Sequence, residues 1–102
     1  TSLEDFLLTL PMSINIKAVQ DRKVIVQFKF RGSVTEHCYF TIEEGHITAQ
    51  KGTCDKPDLT IETLFDVWMD IMTGKVDGQQ MFIEQKLSIS GDLSLIMQLF
   101  SI

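Results

Sequence analysis

The sequence predicts an α+β domain in which a run of strands is followed by helices that cover one face of a twisted sheet. Three observations predict it. Apolar and polar residues alternate through KVIVQFKF and HCYFTIEEG, the period of half-buried strands. From Thr63 onward the apolar spacing changes to three and four residues, the period of a helix. The length, 102 residues, suits one domain, which at this size buries roughly two thirds of its unfolded surface.

The elements follow in order. Ser2 precedes Leu3, Glu4, Asp5, Phe6, Leu7, Leu8 and Leu10, which reads as a short capped helix with acids in its first turn, stopped by Pro11. SINIKAVQ fits a strand or a short helix equally well. The first clear strand places Val24, Val26, Phe28 and Phe30 on one face, and Lys23, Gln27 and Lys29 on the other. After a turn at Arg31-Gly32-Ser33 comes a second strand with Cys38, Phe40 and Ile42 inward. Glu43-Glu44-Gly45 turns the chain into a third, HITAQKG, and the spacing suggests an antiparallel meander. Leu59-Thr60-Ile61 makes a short fourth strand after Pro57.

Leu64, Phe65, Trp68, Ile71 and Met72 then form a helical stripe, with Thr63 placed to cap its start and Thr73-Gly74 to close it. Asp77-Gly78 precedes a shorter helix from about Gln79 to Ile83. Leu87 and Ile89 make a fifth strand, stopped by Gly91, and Asp92 caps the last helix. That helix has two apolar stripes: Leu93, Ile96, Met97 and Phe100, then Leu95, Leu99 and Ile102 about a third of a turn away. One stripe can pack on the sheet or the Trp68 helix. The other is left for a further apolar neighbour, such as a partner subunit or another domain.

Composition narrows function. With 14 acidic and 9 basic residues the formal net charge is −5, which argues against nucleic-acid binding through phosphates and weighs against an anionic membrane as a permanent home. No stretch approaches the ~18 apolar residues of a transmembrane span, and the start lacks the pattern of a secretory signal. The chain opens on Thr1, which points to a trimmed chain or a piece of a longer protein. Cys38 and Cys54 read as reduced thiols of a cytoplasmic protein; with His37 and His46 they fit no zinc-finger spacing. No GxSxG, HExxH or paired-histidine pattern occurs. Gly74-Lys75 lacks the rest of a phosphate loop, while Asp66 and Asp70 flank the apolar stripe as solvated acids. No catalytic residue, metal site or cofactor is expected.

The block DLTIETLFDVWMDIMTGKVDGQQMFIEQKLSISGDLSLIMQLF resembles the signature of the sterol carrier protein two family. Asp58, Thr60, Ile61, Thr73, Gly74, Lys75, Phe82, Lys86, Leu87, Ile89, Gly91 and Asp92 stand in its order and spacing. KVIVQFKFRG and YFTIEEGHI resemble its first strand and hairpin. Two positions depart. Met81 stands where a small residue is usual, which narrows any cavity. Gln85 stands where Gly is common, which implies a different turn geometry.

The resemblance implies a five-stranded mixed, mainly antiparallel sheet with helices on one face, enclosing an apolar tunnel. It implies non-catalytic binding or transfer of a sterol, fatty acid or acyl-CoA. The alternative is an accessory domain that presents substrate or dimerises within a larger enzyme. Lipid is the expected partner, together with transient membrane contact and either a homodimer or a covalent fusion to an enzyme. By pattern alone the apolar stripes are core; by resemblance they line the tunnel. The residues so assigned are Val26, Phe28, Phe30, Phe40, Phe65, Trp68, Met69, Met72, Met81, Phe82, Leu95, Ile96, Leu99 and Phe100. Methionines suit a pocket that accepts variable chains. Each methylene removed from water is worth ~0.8 kcal/mol, so a long acyl chain can repay most of the cost of leaving a membrane.

Overall fold

The computed structural model describes residues 2–12, 14–19, 21–33 and 35–100, with Ser2 as backbone only. Helix α1 (Ser2–Thr9) runs into a 3-10 turn over Leu10–Met12, so Pro11 ends the helix as expected. SINIKAVQ resolves as a second 3-10 turn, Ile16–Val19. Its end residues Ser13 and Gln20, the Ser2 cap and Ile102 lie outside the described residues.

Five strands follow the period-two pattern: β1 (Val24–Arg31), β2 (His37–Glu43), β3 (His46–Lys51), β4 (Leu59–Leu64) and β5 (Leu87–Gly91). Their order across the sheet is β3-β2-β1-β4-β5. β1 pairs antiparallel with β2, β2 with β3, and β4 with β5, whereas β1 and β4 run parallel. The sheet is therefore mixed and mainly antiparallel. The parallel pair requires the chain to leave β3 and cross to the far side of β1, and two residues make that crossing stable.

Gln27 is the first. It lies, as its alternation places it, on the face opposite the apolar stripe, yet it is buried. Its Nε2 donates to the carbonyls of Cys38 (2.8 Å) and Gly52 (3.1 Å), and its Oε1 accepts from the Cys54 N–H (2.7 Å). The crossing segment lies over the outer face of β1, and Gly52 and Cys54 bond to this one amide, which would be costly to bury unpaired. Asp58 is the second. Its carboxylate accepts from the Ile25 N–H (2.8 Å) while its own N–H donates to the Ile25 carbonyl (2.9 Å). The Asp58 carbonyl in turn accepts from the Asp92 N–H (2.8 Å).

The inner face of the sheet carries Val24, Val26, Phe28, Phe30, Cys38, Phe40, Ile42, Leu59 and Ile61, all buried. Helices α1, α2 (Phe65–Met72), α3 (Gly78–Ile83) and α4 (Ser94–Phe100) pack on it. The centre of this core is Phe6, from α1. Its ring meets Phe28 (5.3 Å), Phe30 (5.1 Å), Phe40 (5.8 Å) and Phe65 (5.9 Å) edge to face, the favoured geometry for aromatic pairs.

Thr63 does not cap α2. It remains in β4, buried, and its hydroxyl donates to the Lys86 carbonyl (2.7 Å), because the strand runs straight into the helix and Leu64 takes the capping position. Helix α2 closes at Gly74, whose N–H donates to Ile71 while Lys75 N–H donates to Asp70. Helix α3 closes in the same way, with Gln85 N–H to Phe82 and Lys86 N–H to Met81. Both are Schellman turns, which place one residue in left-handed backbone. Gly74 has φ +79° and Gln85 φ +63°. The expected change of turn geometry at Gln85 therefore does not occur: glutamine adopts the conformation that suits glycine.

Two stability outcomes follow. Gln85→Gly removes the left-handed strain of a side chain and is expected to stabilise by about 0.5–1 kcal/mol, read as a rise of several degrees in Tm. Gly91 has φ +96°, and a Cβ there would collide with the Asp58 carbonyl oxygen and crowd Leu59 Cα (3.2 Å). Gly91→Ala is expected to cost about 3 kcal/mol by denaturant unfolding, since backbone must move; a loss under ~1 kcal/mol would contradict this packing.

Candidate functional site: an apolar groove between α3, β5 and α4

Between α3, β5 and α4 lies an open groove of about 310 Å³, lined by Gly78, Gln79, Phe82, Ile83, Ile89, Leu93, Ile96 and Met97. Its rim is unusually apolar for exposed surface: Phe82 is 45% exposed, Leu93 53%, Met97 67% and Ile83 71%. Contiguous exposed apolar residues of this kind mark a surface that receives something. Gln79 is the one polar side chain in the lining. A second depression of about 260 Å³ is lined by Asp21, Arg22, Lys23, Glu43 and Glu44, all charged side chains.

Each wall is positioned by short-range chemistry. The Asp77 carboxylate accepts from the Gln79 N–H (3.3 Å) and starts α3; its far end is tied to β4 through Thr63 and Lys86. The Asp92 carboxylate accepts from the Ser94 N–H (3.1 Å) and hydroxyl (2.5 Å), which caps α4. That hydroxyl contact holds the Asp92 carboxyl below its usual range, and the Gln80 amide, followed by Lys86, does the same for Glu84. At its other end α4 is tied by its Leu99 carbonyl, which accepts from the Asn15 N–H (3.0 Å).

The two stripes of α4 separate only in part, since Phe100 of the first stripe packs half-buried against Trp68 and Phe28. Leu95 and Leu99 are buried in the core, while Leu93 and Met97 stand exposed in the groove with Ile96 at its floor. Of the residues assigned from sequence to the ligand site, Phe82 and Ile96 line the groove. Val26, Phe28, Phe30, Phe40, Phe65, Trp68, Met81, Leu95 and Leu99 are buried in the core, and Met69, Met72 and Phe100 pack half-buried against it. Leu3, Phe6 and Leu10 of the first segment are buried in the same core. Gly78, Gln79, Ile83 and Ile89 were not singled out from sequence for the site, while Leu93 and Met97 entered only as part of an α4 stripe and not among the assigned ligand residues. The signal was present in Phe82-Ile83 and Leu93, apolar residues placed beside turns.

Nothing in the groove is nucleophilic or titratable. Among the described residues no group of three or more His, Cys, Asp or Glu could hold a metal ion. Trp68 Nε1 and His37 Nδ1 are buried without a hydrogen-bond partner among the described residues, and neither lines the groove. No described helix is long and apolar enough to cross a membrane.

Comparison with known proteins places these features in context. The model of the SCP-2 sterol transfer family matches residues 12–102. By sequence no curated protein matches the chain. Among solved structures, the stereoselective inverting sec-alkylsulfatase Pisa1 from Pseudomonas sp. superimposes with a TM-score of 0.79 at 16% identity over 94% of this chain. The chain spans only 15% of that enzyme's length. The sterol carrier protein domain 2 of Helicoverpa armigera superimposes at 0.61 and 25% identity, over 95% of this chain and 72% of that one. Palmitated SCP2L2 from Aedes aegypti gives 0.67 at 13%, over 94% and 85%.

The thiols yield a further expectation. Burial, with Glu36 adding to it, pushes the Cys38 thiol up to about 12, whereas Cys54 is half-buried. Thiolate is the reactive form. At neutral pH a colorimetric thiol reagent is expected to react with Cys54 and reach Cys38 only after unfolding. The raised value favours the folded state most below about pH 9, and that contribution is lost as pH rises toward 12. Replacing Cys38 by Ala should flatten this part of the alkaline unfolding profile.

Proposed function

The chain belongs to the SCP-2 sterol transfer family, and on that footing we propose that it is a non-catalytic, cytoplasmic lipid-binding domain, one unit over 1–102, whose ligand enters by the groove between α3, β5 and α4. The observation that carries the reading is the groove itself. Its volume of about 310 Å³ stands at the low end of the ~300–1,000 Å³ typical of small-molecule sites. A single acyl tail suits it better than a rigid four-ring sterol. Phe82, Ile83, Leu93, Ile96 and Met97 supply the apolar contact, and Gln79 supplies an amide for the head group. Each buried methylene contributes ~0.8 kcal/mol without any directed polar chemistry, so the site needs no catalytic residue to hold its ligand. That the structurally similar SCP2L2 was solved palmitated supports an acyl ligand. The exposed rim suits transient contact with a membrane, where a tail can pass from bilayer to groove.

A second reading, an accessory domain within a larger enzyme, is favoured by one observation. The same fold makes up a small part of the Pseudomonas alkylsulfatase. A reading frame that continues into an enzyme domain would decide for it, and a lone domain would decide against.

Ile83→Asp and Met97→Asp test the lipid reading. Both residues are largely exposed, so stability is expected to stay within about 0.5 kcal/mol of wild type. Affinity for a fluorescent fatty acid is expected to fall tenfold or more, because an acyl chain cannot desolvate a carboxylate without loss. Uptake unchanged in both variants, or no uptake by the parent protein, would sink the proposal.

A further inference from the structure

We propose that the groove selects among single-tail amphiphiles by the sign of the head-group charge, favouring an uncharged or cationic head over an anionic one. Apart from Gln79, an uncharged amide, the lining is apolar. A carboxylate or phosphate head seated there loses water and meets no opposite charge. An alcohol, amide or ester head loses less, and the Gln79 amide can both donate to it and accept from it.

The charges nearest the lining in sequence are acidic. Asp77 precedes Gly78, Glu84 follows Ile83, and Asp92 precedes Leu93. Two of these carboxylates have a cation at hand. Lys86 pairs with Glu84 (3.2 Å). Asp92, held ionised chiefly by the Ser94 hydroxyl, also feels Arg22, whose guanidinium donates to Gln98 (3.4 Å). Asp77 differs. Among the described residues it forms no ion pair, and its exposed carboxylate accepts from the Gln79 N–H (3.3 Å). An uncompensated negative charge therefore sits beside the one polar side chain of the groove. The partial positive charge at the start of α3 offers an anion little, because Asp77 already occupies that end.

The inference rests on the lipid reading above, and one set of ligands separates the two. Dodecylamine, dodecanol and dodecanoate share a tail and carry a cationic, an uncharged and an anionic head at neutral pH. Each is titrated below its micelle concentration by displacement of an uncharged fluorescent probe, and dodecanol reports on the tail alone. Dodecylamine is expected to bind about threefold to tenfold more tightly than dodecanoate at low salt, the ratio shrinking toward one in ~1 M salt. Asp77→Asn keeps a capping side chain and is expected to lower the ratio. Gln79→Lys, at an exposed position, is expected to invert it. Glu43→Gln makes the same charge change on β2, which β1 and β4 separate from β5, and is expected to leave the ratio as in wild type. Equal affinity for the two ions in wild type overturns the inference. So does a shift in Glu43→Gln as large as that in Asp77→Asn, which would trace the preference to the net charge of −5 alone. In either case bound dodecanol leaves the lipid reading standing; absence of binding by all three ligands overturns both.

Discussion

The architecture depends on what Asp58 does with three of its backbone and side-chain groups. Its carboxylate and N–H clasp Ile25 at the start of β1, and its carbonyl receives Asp92 at the end of β5. One residue therefore registers the parallel β1–β4 pair and the antiparallel β4–β5 pair together. The close approach it imposes requires Gly91 opposite, where any side chain would meet the Asp58 carbonyl. Helix α4 begins at the residue that this clasp positions, so the groove inherits its geometry from the same point. Parallel pairing lacks a local turn to fix its register, and here a charge-assisted bond to a backbone N–H supplies that register.

Much of this was legible in the sequence. The inward faces of β1 and β2, the closure of α2 at Thr73-Gly74, the Asp92 cap and the double stripe of α4 all follow from periodicity and capping chemistry. Strand order did not, because it is written in backbone hydrogen bonds that no side-chain pattern encodes. The burial of Gln27 was missed for a related reason. Alternation assigns it to the outer face correctly, but cannot show that a later loop covers that face. Phe6 carried a visible signal, since Leu3, Phe6, Leu7 and Leu10 form a helical stripe. Its central position depends on a sequence-distant α1 folding over β1, which periodicity does not report.

The candidate site was legible only in part, and the physical reason is instructive. Sequence patterns mark residues that alternate with polar neighbours, and these become core. A groove instead uses apolar residues that the core leaves over, such as Ile83, which follows no stripe, and Met97, whose stripe exceeds what the core can bury. Of the residues that the resemblance assigned, Phe82 lies on the rim of the groove and Ile96 on its floor. A binding surface is thus better sought in the excess of apolar residues than in the pattern itself.

The groove walls come from one continuous stretch, 78–97, that holds α3, β5 and most of α4. Beyond its pairing with β4 and its packed side chains, this stretch is tied to the remainder through Thr63 to Lys86 and Asp58 to Asp92, with Asn15 to Leu99 holding α4 just past its end. A segment local in sequence and bounded by few anchors is the kind of unit that opens cooperatively while its neighbours stay folded. Widening for a guest then requires no disruption of the four-stranded body β1–β4. The groove wall is thus a short unit, local in sequence, set against the larger sheet body.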